Sequence, residues 1–390
     1  MNTNSRIYLD NAATSWPKPA AVYDAVDRYQ REVGAPSGRS GYREAVEANQ
    51  IIQHARQGVA RLIGAAEARQ VVFTASGTDS LSMAILGLLR QGDHVVTTVC
   101  EHNSVLRPLR ALADAEIVSV SYVPCDGQGY VAPDEVQKAL RPATRLVAVV
   151  HGSNVTGAVQ PVEEIGAMSH EHGALLLVDA AQTLGHVPID VERLPIDLLA
   201  APAHKGLLGP LGTGVLYIRP KVETQLKPLR LGGTGTQSES DLQPESLPDK
   251  YEPGNHNLPG LAGLASATDY LQQRGIESIQ AHHAKLVGQL VEGLTTVPGL
   301  TVQGPNGTVN RTSVVSFTLS GYDPQELAAL LETSGGVQCR AGLHCAPLMH
   351  RSLGTLQHGG TVRLSPGWAT TTEQIELTVE LIAQMAAVTP

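Results

Sequence analysis

Cysteine is scarce in this 390-residue chain. Its four thiols, Cys100, Cys125, Cys339 and Cys345, show no Cys-x-x-Cys spacing. That argues against a disulfide framework or a thiolate metal centre, and for reduced thiols in a cytoplasmic enzyme without a metal. Aromatic residues are few. With two Phe and two Trp, the core has to be built from Leu, Val, Ile and Ala. No basic run offsets the net charge of −9, so nucleic acid is not expected as a partner. No apolar stretch reaches the roughly 18 residues of a membrane span. The first residues, MNTNSRIYLDNAATSWP, lack the apolar segment of a secretory signal. What remains is an ordinary globular composition, long enough for two or three domains and a large buried core.

The densest signal is LLAAPAHKGLLGPLGTGVLYIRP, residues 198–220. An apolar run is broken by Ala203-His204-Lys205 and then by Gly206, Gly209, Gly212 and Gly214 before it resumes as Val-Leu-Tyr-Ile. The pattern predicts strand, loop, strand, with Lys205 presented on the loop. Apolar surroundings disfavour a charged ammonium, and a neutral amine can attack a carbonyl to form a Schiff base. Alone, Lys205 reads more readily as a surface lysine in a glycine-rich turn; its partners reverse that.

Upstream, a strand-to-helix turn recurs. Val71-Val72-Phe73 runs into Ser76-Gly77-Thr78, whose hydroxyls and helix-start amides suit an anion or, equally, an ordinary helix cap. A second strand ends at Cys100, and Glu101-His102-Asn103-Ser104 opens a helix. His102 there is either a contact in the ligand crevice of an open sheet or a structural cap. The strand from Leu146 to Val150 leads to a loop with Asn154. ALLLVDAAQ places Asp179 at the end of an apolar strand, followed by Gln182. A carboxylate there needs a cation, which a protonated ring nitrogen, an arginine or a helix start would each supply. These alternations predict an α/β fold on a mostly parallel, doubly wound sheet with helices on both faces. The strand ends bring Thr78, His102, Asn154, Asp179, Gln182, His204 and Lys205 toward one crevice. An anion site, an aromatic ring, an acid and a lysine together fit pyridoxal 5'-phosphate, with Lys205 as the Schiff base and Asp179 facing the pyridinium nitrogen.

With those residues in place, the chain resembles the class V aminotransferases, fold-type I pyridoxal-phosphate enzymes, and within them the SufS-like cysteine desulfurases. The likeness runs from LDNAAT to TVRLSPGWATT. It is carried by Asn11-Ala12-Ala13-Thr14, Ser76-Gly77-Thr78, Glu101-His102-Asn103, Ser153-Asn154, Asp179-Ala180-Ala181-Gln182, His204-Lys205, Glu252-Pro253-Gly254-Asn255 and Arg340-Ala341-Gly342-Leu343-His344-Cys345. The resemblance implies that family's fold, with a seven-stranded-type sheet and a smaller C-terminal α/β domain. It implies that His102 stacks on the cofactor ring, that Asp179 pairs with its nitrogen and that Gln182 pairs with its phenolic oxygen. Gly77, Thr78 and His204 would hold the phosphate. Arg363 would hold the substrate carboxylate, with Asn154 and Ala13 beside the substrate; Arg363 alone reads equally as a structural salt bridge. Lys205, Cys345 and His102 would be the catalytic residues. Thr234, in Gly232-Gly233-Thr234-Gly235-Thr236, would reach the phosphate of a second subunit, which implies a homodimer with shared sites; a flexible surface turn is the other reading. One position departs from the pattern: Pro202 stands where many relatives carry a phosphate-binding serine, so the phosphate must lean on Thr78, His204, backbone amides or another hydroxyl.

The polar, Pro- and Gly-rich stretch 241–260 marks the expected passage from a large cofactor domain (15–255) to a small domain (256–390), with residues 1–14 packing near the latter. Cys345 lies in a loop-like stretch where Arg340, His344 and His350 would favour its thiolate. An inert small apolar residue is the competing reading, and it suits Cys339 better. The resemblance implies conversion of L-cysteine to L-alanine, with sulfur passed to Cys345 as a persulfide and on to an acceptor protein, as in iron–sulfur cluster assembly. The alternatives are selenocysteine lyase acting on L-selenocysteine, another class V transamination or elimination, and a cofactor-poor relay or scaffold subunit.

Overall fold

Runs of Val, Leu, Ile and Ala without polar alternation form the middle of a seven-stranded sheet, as befits strands covered on both faces. The computed structural model describes residues 6–38, 40–236 and 239–388; residues 1–5 of the expected small-domain piece lie outside them. The first half contains β1 (Ile7–Tyr8), α1 (Ala20–Arg28), α2 (Arg43–Leu62), β2 (Val71–Thr74), α3 (Gly77–Leu88), β3 (Asp93–Thr98), α4 (Asn103–Asp114), β4 (Val118–Val123), α5 (Pro133–Ala139), β5 (Thr144–Val150), α6 (Val162–Glu171), β6 (Leu175–Asp179), β7 (Leu198–Pro202) and β8 (Gly214–Ile218). The large sheet has the order β2-β8-β7-β6-β5-β3-β4. Only β8 runs against the others, pairing antiparallel with both β2 and β7. Helices cover both faces. One buried cluster joins α2 and α6 to the sheet through residues such as Ile52, Val59 and Ile165. The other face packs against α3 and α4 through Leu81, Ile85, Leu88 and Leu109. This is the doubly wound α/β arrangement expected above.

The second half contains α7 (Leu258–Arg274), α8 (Ile276–Thr295), β9 (Leu300–Gln303), β10 (Val315–Leu319), α9 (Pro324–Gly335), β11 (Val337–Gln338), β12 (Arg340–Gly342), α10 (Pro347–Ser352), β13 (Thr361–Leu364) and α11 (Thr372–Val388). Strands β12-β13-β10-β9 make an antiparallel sheet. Leu290, Leu294, Leu331, Ile375 and Ile382 from α8, α9 and α11 cover it. β1 pairs with β11, and Ile7 and Leu9 enter that same cluster. α7 behaves differently. It follows residue 255, yet Leu258, Leu261, Leu264 and Leu271 are buried in the large sheet's core.

Glu252 ties the connecting stretch to the large sheet. Its carboxylate takes both arms of Arg56 at 2.7 Å and the Phe73 amide at 2.6 Å. Among the described residues no helix is long and apolar enough to cross a membrane.

Candidate active site

The C-terminal ends of β5, β6 and β7 and the starts of α3 and α4 line one crevice, as the parallel sheet requires. Lys205 rises from its floor on the β7–β8 connection. The backbone there needs glycine on both sides. A Cβ at Gly206 would collide with the Leu184 carbonyl, and one at Gly185, whose φ is +87°, with the Gly206 carbonyl. That close approach seats Lys205 beneath the crevice. Four donors converge on the preceding carbonyl, that of His204: the Ser15 amide at 2.9 Å, Ser15 Oγ at 3.1 Å, Thr14 Oγ1 at 3.2 Å and Lys18 Nζ at 2.8 Å.

Burial lowers the Lys205 amine to about 8, with Asp179 pulling the other way and Arg363 and Arg340 adding to the fall. Roughly a tenth of the amine is therefore neutral at pH 7, far more than for an ordinary lysine, and the neutral amine is the nucleophile. Asp179 ends β6 and is buried; burial raises its carboxyl, against the Ala181 amide, which it accepts at 2.9 Å, and the Lys205 charge. Gln182 is held by donating to the Ala12 carbonyl at 2.9 Å.

His102 caps α4, its Nδ1 accepting the Ser104 amide at 3.1 Å. Burial, then the Lys205, Arg340, Arg107 and Arg363 charges, lowers the ring to about 4. It is neutral at physiological pH, with its proton on Nε2 because Nδ1 accepts. Ser104 Oγ lies 2.9 Å from His102 Nδ1 and 2.8 Å from Thr78 Oγ1. Thr78 itself sits in the first turn of α3. Gly77 there is pressed against β7, since a Cβ would come within 2.8 Å of Pro202 Cδ. The free amides of this turn face the crevice as an anion cradle.

Arg363, on β13, is fully buried. It grips Asp10 at 2.9 Å and the Asn154 carbonyl at 3.1 Å. Asn154 in turn donates to the His344 carbonyl at 2.6 Å. Cys345 follows, and its own carbonyl accepts the Asn103 amide at 2.8 Å. Its Sγ lies 3.5 Å from Arg340 Nη2, and Arg340 lines the crevice. His344 and Cys345 both have positive φ, +48° and +59°. Cys345 is thus fastened beside the crevice, between β12 and α10.

The expected thiolate-favouring trio is corrected. Burial lowers His344 to about 2 and His350 to about 4, so both rings are neutral and only Arg340 brings a positive charge. Cys339 fits its inert reading, its thiol pushed up to about 12 by burial first.

Lys205, Asp179, Gln182, His102, Thr78, Gly77, His204, Asn154, Arg363 and Ala13 all line the crevice. Cys345 stands behind Arg340. Thr234 does not reach the crevice in its own chain: it is half-buried, bonds Thr236 at 2.9 Å and borders a separate hollow with Arg56 and Glu252. Sequence reasoning missed Ser104, Lys18 and Glu101 as individual contributors. Ser104 could have been found from its place two residues into the His102 cap; nothing local marks Lys18.

Residues 7–378 match the family model described as aminotransferase class-V. The chain is 38% identical to a probable cysteine desulfurase of Methanothermobacter thermautotrophicus over 384 residues, 97% of this chain and 94% of that one. The chain belongs to the class V aminotransferases, in their cysteine desulfurase branch. A cysteine desulfurase of Haloferax volcanii is 34% identical over 360 residues, 90% of this chain and 84% of its own length. Among solved structures, an apo cysteine desulfurase from Thermococcus onnurineus superposes with a TM-score of 0.91 at 33% identity, covering 99% of this chain and 96% of that one.

The family depends on pyridoxal phosphate, and the crevice fits that molecule. Asn154 Oδ1, His204 Nδ1 and Arg363 Nε are buried and make no hydrogen bond within the described residues. Together with the Lys205 amine, the Asp179 carboxylate and the α3 amides, they are the groups an aldehyde, a ring nitrogen and a phosphate would satisfy.

Proposed function

We propose that the protein converts L-cysteine to L-alanine and takes the sulfur onto Cys345 as a persulfide, for transfer to an acceptor. The observation that carries this is the meeting of Lys205, Asp179 and Arg363 in one crevice with Cys345 fastened beside it. The overall step balances: L-cysteine and the Cys345 thiol give L-alanine and Cys345–S–SH. The bound pyridoxal phosphate supplies an aldehyde for the substrate amine and a ring that takes up electrons from the α-carbon. Lys205 would tether it and would move the substrate α-proton. Asp179 would keep the ring nitrogen protonated, Gln182 and Asn154 would hold the ring, and the neutral His102 would lie against it. Gly77, Thr78, His204 and Ser104 hold the phosphate, with Ser104 supplying the hydroxyl that Pro202 cannot. Arg363 turns from Asp10 to the substrate carboxylate, beside Ala13, which keeps the wall thin.

Arg340 faces the Cys345 sulfur at 3.5 Å and orients it for attack on the substrate sulfur. Thr234 serves the phosphate of a second subunit in a homodimer. The large domain is best drawn to include α7, and the small one to take up β1 and the chain from α8 onward.

The test is direct. The cofactor-loaded protein is incubated with L-cysteine, alanine is measured, and the peptide carrying Cys345 is weighed. The expected result is equimolar alanine and a gain of about one sulfur on that peptide. Alanine formation that persists unchanged in Cys345→Ser would instead favour an elimination or transamination. Running L-selenocysteine in parallel separates the lyase reading by its relative turnover.

A further inference from the structure

Cys100 and Cys125 take no part in the site above, yet they are neighbours. β3 and β4 pair in parallel at a constant offset, Asp93 opposite Val118 and Thr98 opposite Val123. The Val99 amide then bonds the Val123 carbonyl at 3.0 Å, carrying the same register one step past the strands. Two positions beyond each strand end, the same offset of 25 residues falls on Cys100 and Cys125. Adjacent strands run about 4.8 Å apart, with opposed side chains on the same face. That spacing falls within the roughly 4.4–6.8 Å Cα separation a disulfide spans. The two thiols lie near enough for each to shift the other's titration. Both are free.

Their access differs. Cys100 has no exposed surface, and its sulfur rests 3.6 Å from the Gly129 carbonyl. Cys125 is half-buried, its sulfur 3.8 Å from Met349 Sδ and 3.7 Å from Ser352 Oγ, both on α10. A molecule arriving from solvent meets Cys125 first and finds Cys100 directly behind it.

We propose that Cys100 and Cys125 form a redox-active dithiol, a modification site for small disulfides, with Cys125 attacking and Cys100 resolving. The chemistry balances. The Cys125 thiolate attacks one sulfur of a small disulfide RSSR, forms Cys125–S–S–R and expels RS⁻. Cys100 gives its proton to that thiolate and attacks the Cys125 sulfur, which closes the Cys100–Cys125 bond and expels a second RS⁻. Two protein thiols are oxidised and one small disulfide is reduced to two thiols. The environments suit these roles. The contact with Cys100 lowers Cys125 to about 7, close to where an attacking thiol is fastest. The same contact, and burial, push Cys100 up. Closure would join the ends of two strands just two residues before His102.

The experiment uses the cofactor-loaded protein and its Cys345→Ala form. Each is held in oxidised glutathione, unfolded in alkylating agent and digested without reductant. The expected product is a cross-linked peptide pair carrying Cys100 and Cys125, released by reductant, in both proteins. Cys125→Ser should leave Cys100 a free thiol, and Cys100→Ala should leave Cys125 carrying glutathione. The proposal is overturned if Cys125 keeps its glutathione while Cys100 is present, or if both thiols are recovered alkylated.

Discussion

Glu101 sits directly before His102 with no exposed surface. Its Oε1 accepts Thr98 Oγ1 at 2.7 Å and the Val150 amide at 3.0 Å, while Oε2 has no hydrogen-bond partner among the described residues. Burial, opposed by those two donors, moves its carboxyl from 4.5 up to about 8. It therefore stays protonated at neutral pH and adds no second negative charge near Asp179. Between those two values the folded chain binds a proton that the unfolded chain has lost, so stability falls as pH rises. The contribution is complete below the unfolded value and gone above the folded one. The expected decline is of order 3–5 kcal/mol across that window. Glu101→Gln, which mimics the protonated form, should flatten it; urea midpoints at acidic and mildly alkaline pH check this.

Ser104 makes the other residue-scale prediction. Its hydroxyl links Thr78 to His102, so Ser104→Ala should raise the dissociation constant for pyridoxal phosphate by roughly fivefold, the weight of one hydrogen bond. Absorbance titration of the apoprotein measures it. At the residue scale the sequence was legible where strand ends bring groups together, as they do Lys205, Asp179 and His102 in one crevice. It failed for His344 and His350, because a histidine next to a thiol in the sequence says nothing of burial, and burial removes their charge.

At the level of elements, Arg56 on α2 and Glu252 form a buried bidentate pair, with side chains 3% and 4% exposed. Glu252 also bonds the His256 ring at 2.7 Å within the same connecting stretch. Removing one partner strands a buried charge. Arg56→Leu should cost about 3–5 kcal/mol, read from denaturant unfolding. The strands from Val71 to Ile218 were legible because unbroken apolar runs bounded by polar turns have few other uses. Helix ends were less so: the pattern over residues 20–34 predicts one helix, whereas α1 stops at Arg28 and continues as a wider π-type turn from Tyr29 to Val33. α7 was legible as a helix, but its partner was not. Leu261 and Leu264 mark an apolar face without saying which sheet it will meet.

For the whole molecule, the assignment of Thr234 to a neighbouring site makes a prediction about hybrids. Two inactive chains, Lys205→Ala and Thr234→Ala, are mixed by unfolding and refolding together. A hybrid pairs an intact lysine on one chain with an intact Thr234 on the other, so activity should rise above that of either variant alone. No recovery, in a preparation whose sedimentation shows twice the chain mass, would place Thr234 outside the shared site.

The segment bearing Cys345 springs from β12 of the antiparallel sheet, but the groups that clasp it, Asn103 and Asn154, belong to the parallel one. Two successive left-handed residues, neither of them glycine, make that posture costly by about 1–2 kcal/mol apiece. Any parting of the two layers would break those two hydrogen bonds and let the strained backbone relax, moving the Cys345 side chain with it.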